Sequence, residues 1–138
     1  MIFLDSWVWL AFLFSGEKAA EAESLIERAN TADEGGLLAP TVIAEVSYRI
    51  RTVENESTAT EAIRALREYE HIDCMPLVDD IAESAAELRS KYYSRAEREL
   101  SYADAIHLAM AVVHDDCHTL YSGDPDFTAV DEIETVIL

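Results

Sequence analysis

The chain has 138 residues, with 28 Asp and Glu against 10 Lys and Arg and a formal net charge of −18. That length suits one compact domain spanning residues 1–138, and a half-hydrophobic composition supports a core and excludes wholesale disorder. Two cysteines exclude a disulfide-stapled secreted scaffold and a four-cysteine zinc module, and the charge argues against a protein that draws in a polyanion through a basic footprint.

Met1 to Asp5 is a short apolar run closing on an acid, the pattern of a fully buried parallel strand. Trp7 to Phe14 reads as a short buried helix. It is too short to span a bilayer and has no Lys or Arg before it, so neither a membrane segment nor a signal peptide is expected, and the protein is placed in the cytoplasm. Glu17 to Asn30 is amphipathic, with Ala22, Leu25, Ile26 and Ala29 on its apolar face. A turn cluster from Thr31 to Gly36 leads to a strand at Leu37–Ala39, and Pro40 opens a helix to about Val53. Ser57 is the expected N-cap of the next helix, followed by a strand from Ile72 to Leu77 and a helix from Asp79 to about Tyr93. Ser101 caps a helix with Asp104 three residues on. A strand at Thr119–Tyr121, a turn at Gly123–Pro125 and a strand at Glu134–Leu138 complete the chain. Strands alternating with helices predict an α/β fold: a three-layer α/β/α sandwich around a central, mainly parallel sheet.

The acids are not gathered in a tail. Glu17, Glu21, Glu23 and Glu27 share a segment with regular apolar positions, which acidic disordered tails lack. The basic residues are eight Arg and only Lys18 and Lys91. A folded, lysine-poor, acid-coated domain fits the cytoplasm of a salt-loving organism, where near-molar salt shortens the Debye length to roughly 3 Å. An ordinary acidic protein of low salt is the alternative.

In an open parallel sheet, ligands bind beyond the carboxyl ends of the strands. Asp5 ends the first strand there, and Glu45 lies about one turn into the helix after the second. Asp104 is in the first turn of the Ser101 helix, and Asp124 follows the fourth strand, with Asp126 two residues later. Each has a structural alternative: Asp104 as a capping-box partner of Ser101, Asp124 and Asp126 as turn residues, Glu45 as a solvated helix residue. Asp5 is the hardest to explain structurally, because a carboxylate between Leu4 and Trp7 is expected to be buried and then needs a partner or a metal.

Ile2-Phe3-Leu4-Asp5-Ser6, Glu45, Ser101-Tyr102-Ala103-Asp104-Ala105-Ile106 and Tyr121-Ser122-Gly123-Asp124-Pro125-Asp126-Phe127 together resemble a PIN-domain ribonuclease. Their order and spacing most resemble the VapC-type toxins of type II toxin–antitoxin pairs. The resemblance spans the whole chain and departs at Trp7, where many relatives carry Asn. It implies the α/β/α sandwich, homodimerisation, Mg²⁺ or Mn²⁺ dependence, endonucleolytic cleavage of RNA, and in the toxins a small cognate antitoxin seated in a groove near the active site. The family's catalytic acids fall on Asp5, Glu45, Asp104 and Asp124, with Asp126 a possible fifth. Ser6 and Ser122 match positions where relatives often carry Ser or Thr.

Clustered carboxylates repel and become favourable around a hard cation. Asp5, Asp104 and Asp124 are the expected ligands, with Asp126 as a further candidate. Glu45 would complete the set or take the proton of an attacking water, and Ser6 or Ser122 would hold a ligand carboxylate. Phosphate contacts are expected from Arg49, Arg51, Arg89, Lys91, Arg95 and Arg98, with Tyr92 and Tyr93 available to stack bases; pairing of these cations with acids such as Glu97 and Glu99 is the alternative. His114, Cys117 and His118 make a poor zinc pattern and read as helix-end residues, and Trp7 and Trp9 read as core. An RNA-processing nuclease without an antitoxin and a non-catalytic partner-binding module are the competing functions. A haloacid-dehalogenase-type phosphotransferase would need Asp where Trp7 stands.

Overall fold

A computed structural model describes residues 1–138. Five strands alternate with six helices: β1 (Ile2–Leu4), α1 (Ser6–Leu13), α2 (Ala19–Ala29), β2 (Gly36–Leu38), α3 (Pro40–Val53), α4 (Glu56–Arg67), β3 (Ile72–Cys74), α5 (Asp79–Tyr92), α6 (Tyr102–Val113), β4 (Thr119–Ser122) and β5 (Glu134–Ile137). A single 3₁₀ turn, Pro125–Phe127, separates the last two strands.

The strands form one sheet in the order β3-β2-β1-β4-β5, and every neighbouring pair is parallel. The chain moves outward from β1 in one direction through β2 and β3, then returns to β4 on the other side. Right-handed crossovers in opposite directions put α1 to α4 on one face and α5 with α6 on the other. This is the α/β/α sandwich expected of the sequence. The order reverses between β1 and β4, and the crevice beyond their carboxyl ends is where such sheets bind ligands.

β1 is central and all three of its residues are fully buried, which is why it reads as an unbroken apolar run rather than an alternating one. On α2 the buried residues are Ala22, Leu25, Ile26 and Ala29, the stripe read from the sequence. Gly36 opens β2 against Ala29; a Cβ there would lie 2.9 Å from the Ala29 Cβ, so only glycine lets α2 come this close to the sheet.

Several boundaries differ from expectation. The cap of α4 is Asn55, whose Oδ1 accepts from Thr58 N–H at 2.8 Å, so the helix starts before Ser57. Asn is as good a cap as Ser, and it stands earlier in the chain. β3 stops at Cys74 rather than Leu77, because Pro76 has no N–H to continue the ladder. Trp9 is buried, but Trp7 is only half-buried. No helix is long and apolar enough to cross a membrane.

Candidate metal centre

Asp5 is the only buried residue among the acids of the chain. It sits where β1 ends and α1 begins, and both of its carboxylate oxygens are held. The Ser122 hydroxyl donates to Oδ2 at 2.7 Å, and His107 Nδ1 lies 2.7 Å from Oδ1. A carboxylate accepts, so the proton of that second bond belongs to Nδ1. Burial works to raise the Asp5 pKa, but the His107 hydrogen bond and ring charge, the Ser122 hydroxyl and the nearby Ser6 N–H outweigh it. Asp5 is therefore held below the ordinary carboxylate value, as an anion.

His107 is completely buried on α6, one turn after Asp104. Its Nε2 lies 2.8 Å from the Thr41 hydroxyl and 3.4 Å from Glu45 Oε1, both on α3. One imidazole thus joins β1, α3 and α6. Asp5, Asp104 and His107 each present a ligand-type atom within 4.8 Å of the others. Sequence reasoning passed over His107, although a polar residue three positions after Asp104 on an otherwise apolar helix face was available as a signal.

Asp104 is half-buried, and it does form the capping box. Its Oδ2 accepts from Ser101 N–H at 3.2 Å, and its own N–H donates to the Ser101 hydroxyl at 3.1 Å. That leaves Oδ1 without a partner in the chain. Burial raises the Asp104 pKa, the charges of Asp5 and Asp124 add to this, and the Ser101 hydrogen bonds only partly oppose it. Glu45 is also pushed up, first by burial and then by the charges of Asp5 and Asp104, with His107 and the Ser6 hydroxyl working the other way. The buried Glu45 Oε1 has no hydrogen-bond partner.

Ser122 links the fourth acid to the first: while donating to Asp5 it accepts from Asp124 N–H at 3.0 Å. Asp124 Oδ1 then accepts from Asp126 N–H at 2.9 Å, capping the 3₁₀ turn. The Asp126 carboxylate makes no hydrogen bond or ion pair within the chain. A family model described as PIN domain matches residues 2–133.

The chain belongs to the PIN domain family.

Solved structures show the same fold. VapC20 of Mycobacterium tuberculosis, described as a sarcin-ricin loop cleaving toxin, aligns with a TM-score of 0.77 at 22% identity, over 97% of this chain and 98% of that one. VapBC2 of Rickettsia felis, bound to a DNA fragment from its promoter, aligns at 0.75 and 12% identity over 99% and 98%. A toxin–antitoxin complex from Klebsiella pneumoniae aligns at 0.68 and 23% identity over 99% and 96%. A search of curated proteins gave no match.

The basic candidates of this PIN domain divide by what they already touch. Lys91 pairs with Glu132 at 2.7 Å and Asp131 at 3.5 Å, and Arg98 donates to the Thr128 carbonyl at 2.6 Å. Arg89 donates from Nε to the Leu100 carbonyl at 3.0 Å, with its guanidinium 4.4 Å from the ring centre of Tyr93 and 4.2 Å from that of Tyr102. None of these partners is Glu97 or Glu99. Arg51 pairs with Glu56 at 3.5 Å, whereas Arg49 and Arg95 are exposed and their side chains make no hydrogen bond or ion pair in the chain. His118 contacts Thr119 and Glu34, and half-buried Cys117 packs against the core, so these two residues are structural.

Proposed function

We propose that this PIN domain, a single unit over residues 1–138, is a Mg²⁺- or Mn²⁺-dependent endoribonuclease and the toxin of a type II toxin–antitoxin pair. The observation that carries the reading is Asp5. A lone buried carboxylate, held ionised at the sheet's switch point, shares a cluster of ligand-type atoms with Asp104, and Asp104 Oδ1 and Glu45 Oε1 are left without hydrogen bonds. Hard oxygen donors with unused lone pairs suit a hard divalent cation. Asp5, Asp104 and Asp124 would hold it, with Asp126 within reach of Asp124 through the turn. The cation would lower the pKa of a bound water and offset charge on the phosphodiester oxygens.

The chain's own residues supply the rest. Glu45, with its raised pKa, takes the proton from the attacking water. Ser122 fixes Asp5 and the start of the Asp124 turn together, and Ser6 stands beside Glu45. Arg49 and Arg95, free of partners, meet phosphates. The similar solved structures include a toxin and a toxin–antitoxin complex, which supports a small antitoxin as partner. A homodimer in the cytoplasm of a salt-loving cell completes the proposal.

The experiment is cleavage of total RNA by the full chain with Mg²⁺ or Mn²⁺ against EDTA, with Asp5→Asn alongside. Cation-dependent cleavage lost in the variant is expected. Cleavage that persists in EDTA, or in Asp5→Asn, overturns the reading. Growth arrest on expression, relieved by the protein encoded next to this gene, tests the toxin assignment separately.

A further inference from the structure

His107 has no place in the proposed chemistry, yet it is completely buried among the acids and, from α6, contacts Asp5 at the end of β1 and both Thr41 and Glu45 on α3. Its position close to Asp5 and Asp104 makes it look like a metal ligand. The hydrogen bonds argue against that. Nδ1 is 2.7 Å from Asp5 Oδ1 and Nε2 is 2.8 Å from the Thr41 hydroxyl, so both ring nitrogens are committed to protein partners. A nitrogen that carries a proton toward a carboxylate has no lone pair for a cation.

We propose that His107 is a positioning residue with two separate tasks, one for each nitrogen: Nδ1 orients Asp5 toward the cation, and Nε2 fixes the first turns of α3, which carry Thr41 and Glu45. The inference rests on the metal-nuclease reading above. Asp5 has two donors, Ser122 on Oδ2 and His107 on Oδ1, that together set the plane of its carboxylate. Groups of this kind behind a ligand are worth roughly 10- to 100-fold in metal affinity. Glu45 has no such clamp. Its Oε1 lacks a hydrogen bond, and His107 Nε2 stands 3.4 Å away without making one. What Nε2 holds firmly is Thr41, one helical turn before Glu45, so α3 is registered against α6 through the imidazole.

The two tasks separate by substitution. An Asn carboxamide places its nitrogen near the position of Nδ1, and a Gln carboxamide places its nitrogen near that of Nε2. His107→Asn keeps the Asp5 bond and loses the α3 link, whereas His107→Gln does the reverse. Calorimetric titration of the full chain with Mn²⁺ and steady-state RNA cleavage are measured on both, with melting curves in EDTA. His107→Gln should bind Mn²⁺ about 10-fold or more weakly. His107→Asn should keep its Mn²⁺ affinity within about 3-fold of the parent, well short of the 10- to 100-fold effect of losing such a group, and lose kcat with KM for RNA unchanged.

Equal losses of affinity in the two variants overturn the division of tasks. Unchanged affinity and kcat with only lowered melting temperatures would make His107 purely structural. Nitrogen coupling in the electron spin-echo spectrum of Mn²⁺-loaded parent protein would make it a ligand. If the variants do not fold, Thr41→Val on the partly exposed first turn of α3 tests the Nε2 link: kcat falls and Mn²⁺ affinity holds, or the link is without effect and the proposal fails. A parent that binds Mn²⁺ but cuts no RNA defeats the nuclease reading and leaves the affinity comparison standing.

Discussion

Trp7 and Gly123 are fitted to one another: a Cβ on Gly123 would lie 1.9 Å from Cε2 of the Trp7 indole and 2.1 Å from Cδ2. The ring, on the first turn of α1, therefore presses on the backbone between Ser122 and Asp124. Gly123→Ala must displace either the indole or the turn. Overpacking of this kind costs about 1–3 kcal/mol, and moving the turn also moves Asp124. Gly123→Ala should lower the unfolding midpoint and weaken Mn²⁺ binding, and Trp7→Ala in the same chain should restore much of both. A double-mutant cycle read by urea unfolding and Mn²⁺ titration checks this. Additive effects would show that the two residues do not communicate.

Asp104 serves the helix and the acid cluster at once, through different oxygens. Asp104→Asn retains an oxygen that can accept from Ser101 N–H, so the capping box survives while the charge facing Asp5 and Asp124 is removed. Metal-free stability should be unchanged or slightly higher, and cation-dependent cleavage should vanish. Asp104→Ala also loses the side-chain bond to Ser101 N–H, while its own N–H still donates to the Ser101 hydroxyl, and should cost up to about 1 kcal/mol. Melting curves in EDTA, paired with cleavage assays, separate the two roles. Cleavage surviving in Asp104→Asn would leave Asp104 as a capping residue alone.

The pKa shifts of the acids give the metal-free protein a particular pH profile. Asp5, lowered from 3.8, contributes stability that is present above that value and lost as pH falls through its folded value. Glu45 and Asp104 are raised, from 4.5 and 3.8, so their folded forms bind protons that the unfolded chain has already released. Their contribution is present at low pH and lost as pH rises through the raised values. In EDTA, stability should therefore improve on mild acidification from neutrality, then fall below the usual carboxylate range. Both groups are partly solvated, which keeps the gain small. Saturating Mn²⁺ should abolish the gain. A Glu45→Gln, Asp104→Asn double variant controls for relief of general surface repulsion, and an unchanged profile in it would remove these two acids as the cause.

Much of this was legible in the sequence because burial leaves a mark on composition. A run such as Ile2-Phe3-Leu4 closing on Asp5 has few other readings than a central strand with an acid at its end, and Ser101 with Asp104 specifies its own helix start. Partnerships across the fold leave no such mark. Nothing local pairs Asp5 with His107 or Ser122, more than a hundred residues away in each case. The fit of Trp7 on Gly123 depends on how α1 meets the β4 turn, which local periodicity does not encode. For Lys91 and Arg98 the sequence offers only nearby acids such as Glu97 and Glu99 as partners, because the actual ones, Glu132 and the Thr128 carbonyl, lie on the distant loop before β5. Local sequence does not choose between Asn55 and Ser57 as the cap of α4, because both are good N-caps two residues apart.

The net charge of −18 turns these cation assignments into a measurable salt dependence. If only Arg49 and Arg95 meet phosphates, two counterions are released and the slope of log K against log salt should be about −1.4 for single-stranded RNA, from roughly −0.7 per contact. Repulsion between RNA and the acidic surface is screened by the same salt and flattens the slope further. Engagement of Arg89, Lys91 and Arg98 as well would require breaking their present contacts and would steepen it toward about −3.5. Fluorescence anisotropy with Ca²⁺, or with Mg²⁺ and the Asp5→Asn variant, from about 0.1 to 1 M KCl measures this without cleavage; that range shortens the Debye length from about 10 to 3 Å. A shallow slope, together with a melting temperature that rises with KCl, is the expected outcome. A steep slope would show that the acidic coat conceals a larger basic footprint and that the Lys91–Glu132 and Arg98–Thr128 contacts open when RNA binds.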